Sequence, residues 1–341
     1  MARPRLGYHA SLDGFRGIAV ALVVLFHFGV PGAQGGFIGV DLFFVLSGFL
    51  ITRILLDEWD RRGTLRLRTF YARRALRLLP ALGLVLLVCA PFVSLQWWLA
   101  TLSYVGNWFL ALHVLPVSPI SHTWSLAIEE QFYLIWPLLL LGLLRAGLSR
   151  TAIGRVALAL AAASCLQKIL LCIDHDLGTW MRIYFATDTR ADALLIGCAA
   201  AALFENGLRV SNPVRHAVFV LAVCGIGYFV ATARINDLNL FRYGGLTLLA
   251  AFTAVVIVHL VTDPWPSVER VLSQRWLVGL GRISYGVYLW HHVIMFMDLP
   301  IDNAALLLAA RIALTLAASV LSYIVVERRA LALKPRLAPS S

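Results

Sequence analysis

The chain has 341 residues, 60% of them hydrophobic and only 14% charged, whereas soluble domains carry about a quarter charged side chains. That balance excludes an ordinary soluble protein and describes an integral membrane protein. The formal charge of +11 does not indicate a nucleic-acid partner, because the basic residues are almost all Arg, with Lys168 and Lys334 the only lysines, and they gather at the ends of apolar runs.

The apolar runs are repeated and about twenty residues long, the length that crosses a bilayer as helix, and no short alternating segments of a barrel occur. The expected fold is therefore all-α, a polytopic membrane helix bundle with ten spans near 12–31, 37–56, 77–96, 124–145, 153–173, 188–206, 214–232, 243–262, 280–297 and 304–326. The opening run is read as an uncleaved first span rather than a signal peptide, since Asp13 and Arg16 stand at its start and many further apolar runs follow. The stretch 97–115, apolar with three Trp and one Tyr, is expected to lie at the outer interface or to dip in and out.

Charge sets the orientation. With a cytoplasmic N-terminus and 97–115 not crossing, the inner connections collect Arg53, Arg61, Arg62, Arg66, Arg68, Arg73, Arg74 and Arg77, then Arg145, Arg150 and Arg155, then Arg209 and Arg215, then Arg270, Arg275 and Arg282, and finally Arg328, Arg329, Lys334 and Arg336. If 97–115 crossed, this positive-inside bias would invert. Both termini are thus expected in the cytoplasm and the protein in the plasma (inner) membrane. A single domain over 1–341 is expected, with a cytoplasmic tail from about 328 and no soluble appendage. The five cysteines, Cys89, Cys165, Cys172, Cys198 and Cys224, lie in apolar segments without metal-ligand spacing; they read as small buried hydrophobes, and neither disulfides nor a metal site is expected.

Ionisable residues inside apolar spans are costly and need a purpose. In the first span Arg16 and His27 return to one helical face, about 20° apart around the axis and about 16 Å along it, with Asp13 near the same stripe. Asp41 opens the second span after the GGFIGVD turn, close to where His27 emerges. A His with a carboxylate neighbour suits a general base, while Asp at a helix start also suits a cap. Arg74 and Arg77, one turn apart in FYARRALRLLP, can fork a phosphate or simply mark the inner side.

The fourth span opens HTWSLAIEEQFYLIWP, placing Ser125 and Glu129 on one face; no G-x-S-x-G elbow surrounds Ser125, which argues against a serine nucleophile. Asp188, Arg190 and Asp192 open the sixth span, where an internal ion pair is the plain alternative to a site. In the ninth, Ser284, Tyr288 and His291 share a face beside Tyr285 and His292, as a cavity lining or an interhelical network. Basic groups at an inner mouth and His, Asp and Glu in the outer half fit two classes of function. One is an enzyme that takes a phosphorylated donor from the cytosol and modifies an outward-facing acceptor; the other is a proton-coupled transporter of a small polar or glycosylated compound.

Six segments in order, LDGFRGIAV…FH, GGFIGVDLFFVLSGFLIT, FYARRALRLLP, HTWSLAIEEQFYLIWP, RADALLIG and SYGVYLWH, resemble the acyltransferase-3 family of membrane O-acyltransferases, which includes O-acetylases of surface polysaccharides, Nod-factor acetylases and macrolide acyltransferases. The resemblance implies an acyl-CoA donor, acetyl-CoA by default, and a carbohydrate or glycosylated acceptor. It implies Arg16 and His27 as the essential pair of the first span; His27 is expected either to deprotonate the acceptor hydroxyl or to carry the acyl group itself, with Asp41 or Glu129 steadying the imidazolium. Arg74 and Arg77, beside Arg73, would take the donor, and Glu129 rather than Glu130 would be the motif acid. It also implies less-defined roles for Arg190, Asp192, Ser284, Tyr288 and His291. Some relatives carry a C-terminal SGNH hydrolase-like domain, and none is expected in this chain.

Overall fold

The computed structural model describes residues 7–173, 177–204 and 211–333, and within them every regular element is a helix. Arg209, Lys334 and Arg336, used above for orientation, lie outside the described residues. The long helices are α1 (Ala10–His27), α2 (Gly39–Arg62) and α3 (Leu67–Cys89), then after two short helices, α4 (Leu95–Leu102) and α5 (Gly106–Ala111), α6 (Trp124–Arg145) and α7 (Arg150–Leu171). A short α8 (Leu177–Phe185) leads into α9 (Thr187–Leu203), followed by α10 (Asn212–Thr232), the one-turn α11 (Leu238–Arg242) and α12 (Gly245–Thr262). The chain then runs through α13 (Pro266–Leu272), α14 (Arg275–Arg282), α15 (Ser284–Met295), α16 (Ala304–Ser322), a π-helical turn at Tyr323–Glu327 and α17 (Arg328–Leu331).

Local chemistry explains most boundaries. Ser149 caps α7 by accepting from the Ala152 N–H at 3.2 Å, and Asn303 caps α16 through the Leu306 N–H at 3.0 Å. The α2 helix stops at Gly63, whose φ of 65° a Cβ would strain, with its N–H on the Trp59 carbonyl at 2.7 Å. Asp41, expected as a possible cap, does not cap α2: it lies within the first turn and its carboxylate is turned to α9.

Among the described residues, seven stretches are long and apolar enough to cross a membrane: Ala10–His27, Gln34–Arg62, Ser121–Arg145, Arg150–Leu171, Asn212–Thr232, Gly245–Thr262 and Ala304–Leu331. Three expected spans differ from these for identifiable reasons. The third starts earlier, at Leu67, so Arg68, Arg73, Arg74 and Arg77 fall inside the helix. The sixth, α9, has 17 residues and carries Asp188, Arg190 and Asp192. The ninth is broken at Ile283 into α14 and α15. The aromatic stretch 97–115 folds into α4 and α5, separated by Tyr104 and followed by His113, both at positive φ.

The centre of the bundle is the contact between α2 and α9. A Cβ at Gly48 would overlap the Leu194 carbonyl, and one at Gly197 would overlap that of Val45, so the two backbones touch where both helices lack a side chain. Gly48→Ala is therefore expected to destabilise the fold by roughly 1–3 kcal/mol, measured as a fall in the melting temperature of the solubilised protein. An unchanged Tm would show that the helices can separate without cost. By contrast α10 and α16 turn long rows of exposed Leu and Val outward, the surface a bilayer covers. Cys89, Cys172 and Cys198 are buried as expected, while Cys165 is half-buried and Cys224 exposed on the outward face of α10; all five are free thiols.

Candidate active site

A cavity of about 190 Å³ lies among α1, α2, α3, α6 and α15. One wall is apolar, supplied by α2 through Phe43, Leu50, Ile51 and Ile54 and by Phe70 of α3. The lining also carries polar groups, Arg16, Arg74, Arg77, Glu129, Ser284 and Tyr288. Helical spacing accounts for this: Arg74 and Arg77 are one turn apart on α3, and Ser125, Glu129 and Tyr133 repeat every fourth residue along α6.

The polar groups are tied to one another. Arg16 donates from Nη2 to Ser284 Oγ at 3.2 Å and lies 4.0 Å from Asp13 Oδ1. Arg74 donates from Nε to Glu130 Oε1 at 2.8 Å, has Nη2 3.9 Å from Glu129 Oε2, and lays its guanidinium 3.1 Å over the Tyr133 ring. The Tyr133 hydroxyl in turn meets Ser47 Oγ, linking α6 to α2. At the far end the cavity is closed by Ser125 Oγ and the Tyr288 hydroxyl, 2.6 Å apart, with the Tyr288 O–H donating to the His122 carbonyl at 2.7 Å.

Behind that closure four histidines from α1, α15 and the turn before α6 stand together. His27 and His291 have ring centroids 4.9 Å apart and His122 and His292 4.6 Å apart. His27 Nδ1 lies 2.9 Å from the Val23 carbonyl and 3.3 Å from His291 Nε2. A ring nitrogen beside a carbonyl is a donor, so Nδ1 carries the proton and Nε2 is left as the basic nitrogen. His292 holds the Pro119 carbonyl through Nδ1 at 2.9 Å, and His291 holds that of Tyr288 at 2.6 Å. None of the four lines the cavity.

The arrangement brings together most of the residues read from the sequence, with two corrections. Asp41 does not partner His27: its carboxylate is 2.9 Å from Arg190 Nη2, both residues about 1% exposed. Glu129 is turned to Arg74 rather than to an imidazole. Asp192 likewise belongs to the scaffold, accepting from Lys168 Nζ at 2.7 Å and from the Thr247 hydroxyl in a fully buried pair. Arg73 is exposed and outside the cavity. Sequence reasoning passed over Ser47 and Tyr133; the i, i+4 repeat from Glu129 to Tyr133 was the available signal for the second, and nothing local marked the first.

Fold and site define a multi-pass helical membrane protein with an arginine-lined cavity and a histidine cluster beyond it. The profile of a family described as an acyltransferase domain matches residues 9–327, and the chain belongs to that family. Over 317 residues it is 36% identical to the "Peptidoglycan O-acetyltransferase OatA" of Listeria monocytogenes, covering 86% of this chain and 50% of that protein. Over 321 residues it is 35% identical to the "Putative peptidoglycan O-acetyltransferase YrhL" of Bacillus subtilis, covering 87% of this chain and 50% of that one. The chain thus spans about half the length of the curated relatives it matches. No solved structure matches it.

Proposed function

We propose that this chain is an integral-membrane O-acetyltransferase of the plasma membrane that takes an acyl group, acetyl by preference, from cytoplasmic acyl-CoA and transfers it to a hydroxyl of cell-wall carbohydrate. The observation that carries the reading is the cavity itself: three arginines line it together with apolar side chains of α2 and α3, a lining suited to a ligand with an anionic end and a short acyl end. The names of the relatives support an O-acetyl group and a peptidoglycan acceptor. In this reading α3, α9 and the α14–α15 pair cross together with the seven long stretches, giving ten crossings with both ends cytoplasmic; the positive-inside bias supports Arg74 and Arg77 toward the cytosol and His27 toward the outside.

In this mechanism acyl-CoA is the donor substrate, and it supplies a thioester. The arginines of α3 in the cavity are the chain's groups for its phosphates. His27 is the general base: Nδ1 is held by Val23, and Nε2 takes the proton of the acceptor hydroxyl as its oxygen attacks the thioester carbon. The C–S bond breaks, and the CoA thiolate leaves and is protonated from the imidazolium. Asp41 and Arg190 act at a distance, by fixing α2 against α9.

The test is incubation of membranes holding the chain with labelled acetyl-CoA and peptidoglycan fragments. Label on carbohydrate hydroxyls is the expected result. Substrate flux with proton coupling and no consumption of acetyl-CoA would replace the reading with that of a transporter.

A further inference from the structure

The two cavity arginines of α3 are one turn apart and are not equivalent. Arg74 has its ring-facing surface covered by Tyr133 at 3.1 Å and its edge engaged by Glu130 at 2.8 Å and Glu129 at 3.9 Å. Arg77 faces the same space, is exposed to it, and makes no hydrogen bond or ion pair among the described residues. An anion arriving at Arg74 must displace two paired carboxylates, whereas Arg77, though within electrostatic reach of Asp13 and Glu129, has no ion pair to break.

We propose that Arg77 is the guanidinium that binds the diphosphate of the donor, and that Arg74 is a positioning residue, neutralised within the protein, that fixes Glu129 at the cavity wall. This rests on the acyl-CoA reading above. The linkage is physical and continuous: Arg74 of α3 grips Glu129, Glu130 and the Tyr133 ring of α6, and the Tyr133 hydroxyl touches Ser47 of α2. Three walls of the cavity are thereby set by one cation that is already spoken for. The same logic assigns different requirements to the two positions. At 77 a point charge suffices, while at 74 the planar fork must stack and bridge at once.

The experiment measures CoA binding by titration and acetyl transfer by steady-state kinetics, on the full chain in nanodiscs. Arg77→Gln is expected to weaken CoA binding about 10- to 100-fold and to raise KM for acetyl-CoA in step, with kcat within about threefold; Arg77→Lys is expected to restore most of the binding. Arg74→Gln is expected to leave CoA affinity within about threefold and to lower kcat about tenfold or more, and Arg74→Lys is not expected to restore kcat. Tyr133→Leu removes the face under Arg74 while keeping its charge, and is expected to repeat the Arg74→Gln pattern. It serves as the independent check should loss of Arg74 unfold the bundle.

A loss of CoA affinity in Arg74→Gln or Tyr133→Leu equal to that in Arg77→Gln overturns the division of roles and leaves the donor assignment standing. Failure of the parent protein to bind CoA at all overturns both.

Discussion

Replacing His27 by Ala is expected to lower acetyl transfer by about 10²- to 10⁴-fold, the usual contribution of a positioned general base, with CoA binding within about threefold of the parent. The separation follows from geometry. His27 sits at the end of α1 among three other imidazoles and does not line the cavity that carries Arg74 and Arg77. Its removal takes away Nε2 and leaves the arginine-lined cavity untouched. Structural cost is small, because the side chain is half-buried and its one backbone bond is to Val23 of its own helix. The measurement is transfer of labelled acetyl at saturating donor. Activity within about threefold of the parent would remove His27 from the chemistry.

Asp41→Ala is expected to act in the opposite way, through stability. It leaves Arg190 about 1% exposed with no carboxylate against it, and breaking a buried pair on one side costs about 3–5 kcal/mol. The expected result is a large fall in Tm of the solubilised protein and poor accumulation in membranes. Asp41→Leu combined with Arg190→Met is expected to recover most of that loss, since an apolar pair of similar volume needs no counter-charge. A single variant that melts like the parent while losing all transfer would return Asp41 to the catalytic site and contradict the scaffold role.

The architecture was legible where hydrophobic length and charge bias act alone. The stretch 124–145 was read with the bounds that α6 has, and the aromatic stretch 97–115 folds as two short helices, because Trp-rich segments of mixed polarity carry no uninterrupted apolar run. Segments under tertiary control were less legible. The break at Ile283 comes where Gly281 packs against the Asp13 carbonyl of α1, a contact between residues far apart in the chain that no local pattern encodes. The site divides in the same way. Helical spacing placed Arg16 and Ser284, Arg74 and Glu129, and Tyr288 and Ser125 on faces that do meet. It could not assign partners among several buried charges, so Asp41 was matched to the imidazole nearest in sequence rather than to Arg190, about 150 positions away.

What stands between the arginines and the histidines is a latch of two hydroxyls, Ser125 and Tyr288, resting on one peptide oxygen. Each such bond contributes about 0.5–1.5 kcal/mol net, so releasing both Tyr288 contacts costs about 1–3 kcal/mol and leaves the passage ajar between roughly one time in five and one in two hundred. Bond strengths in that range let the Tyr288 hydroxyl leave its partners without melting any helix. On the acyl-CoA reading proposed above, that contact keeps water on the histidine side away from the thioester until an acceptor is at hand.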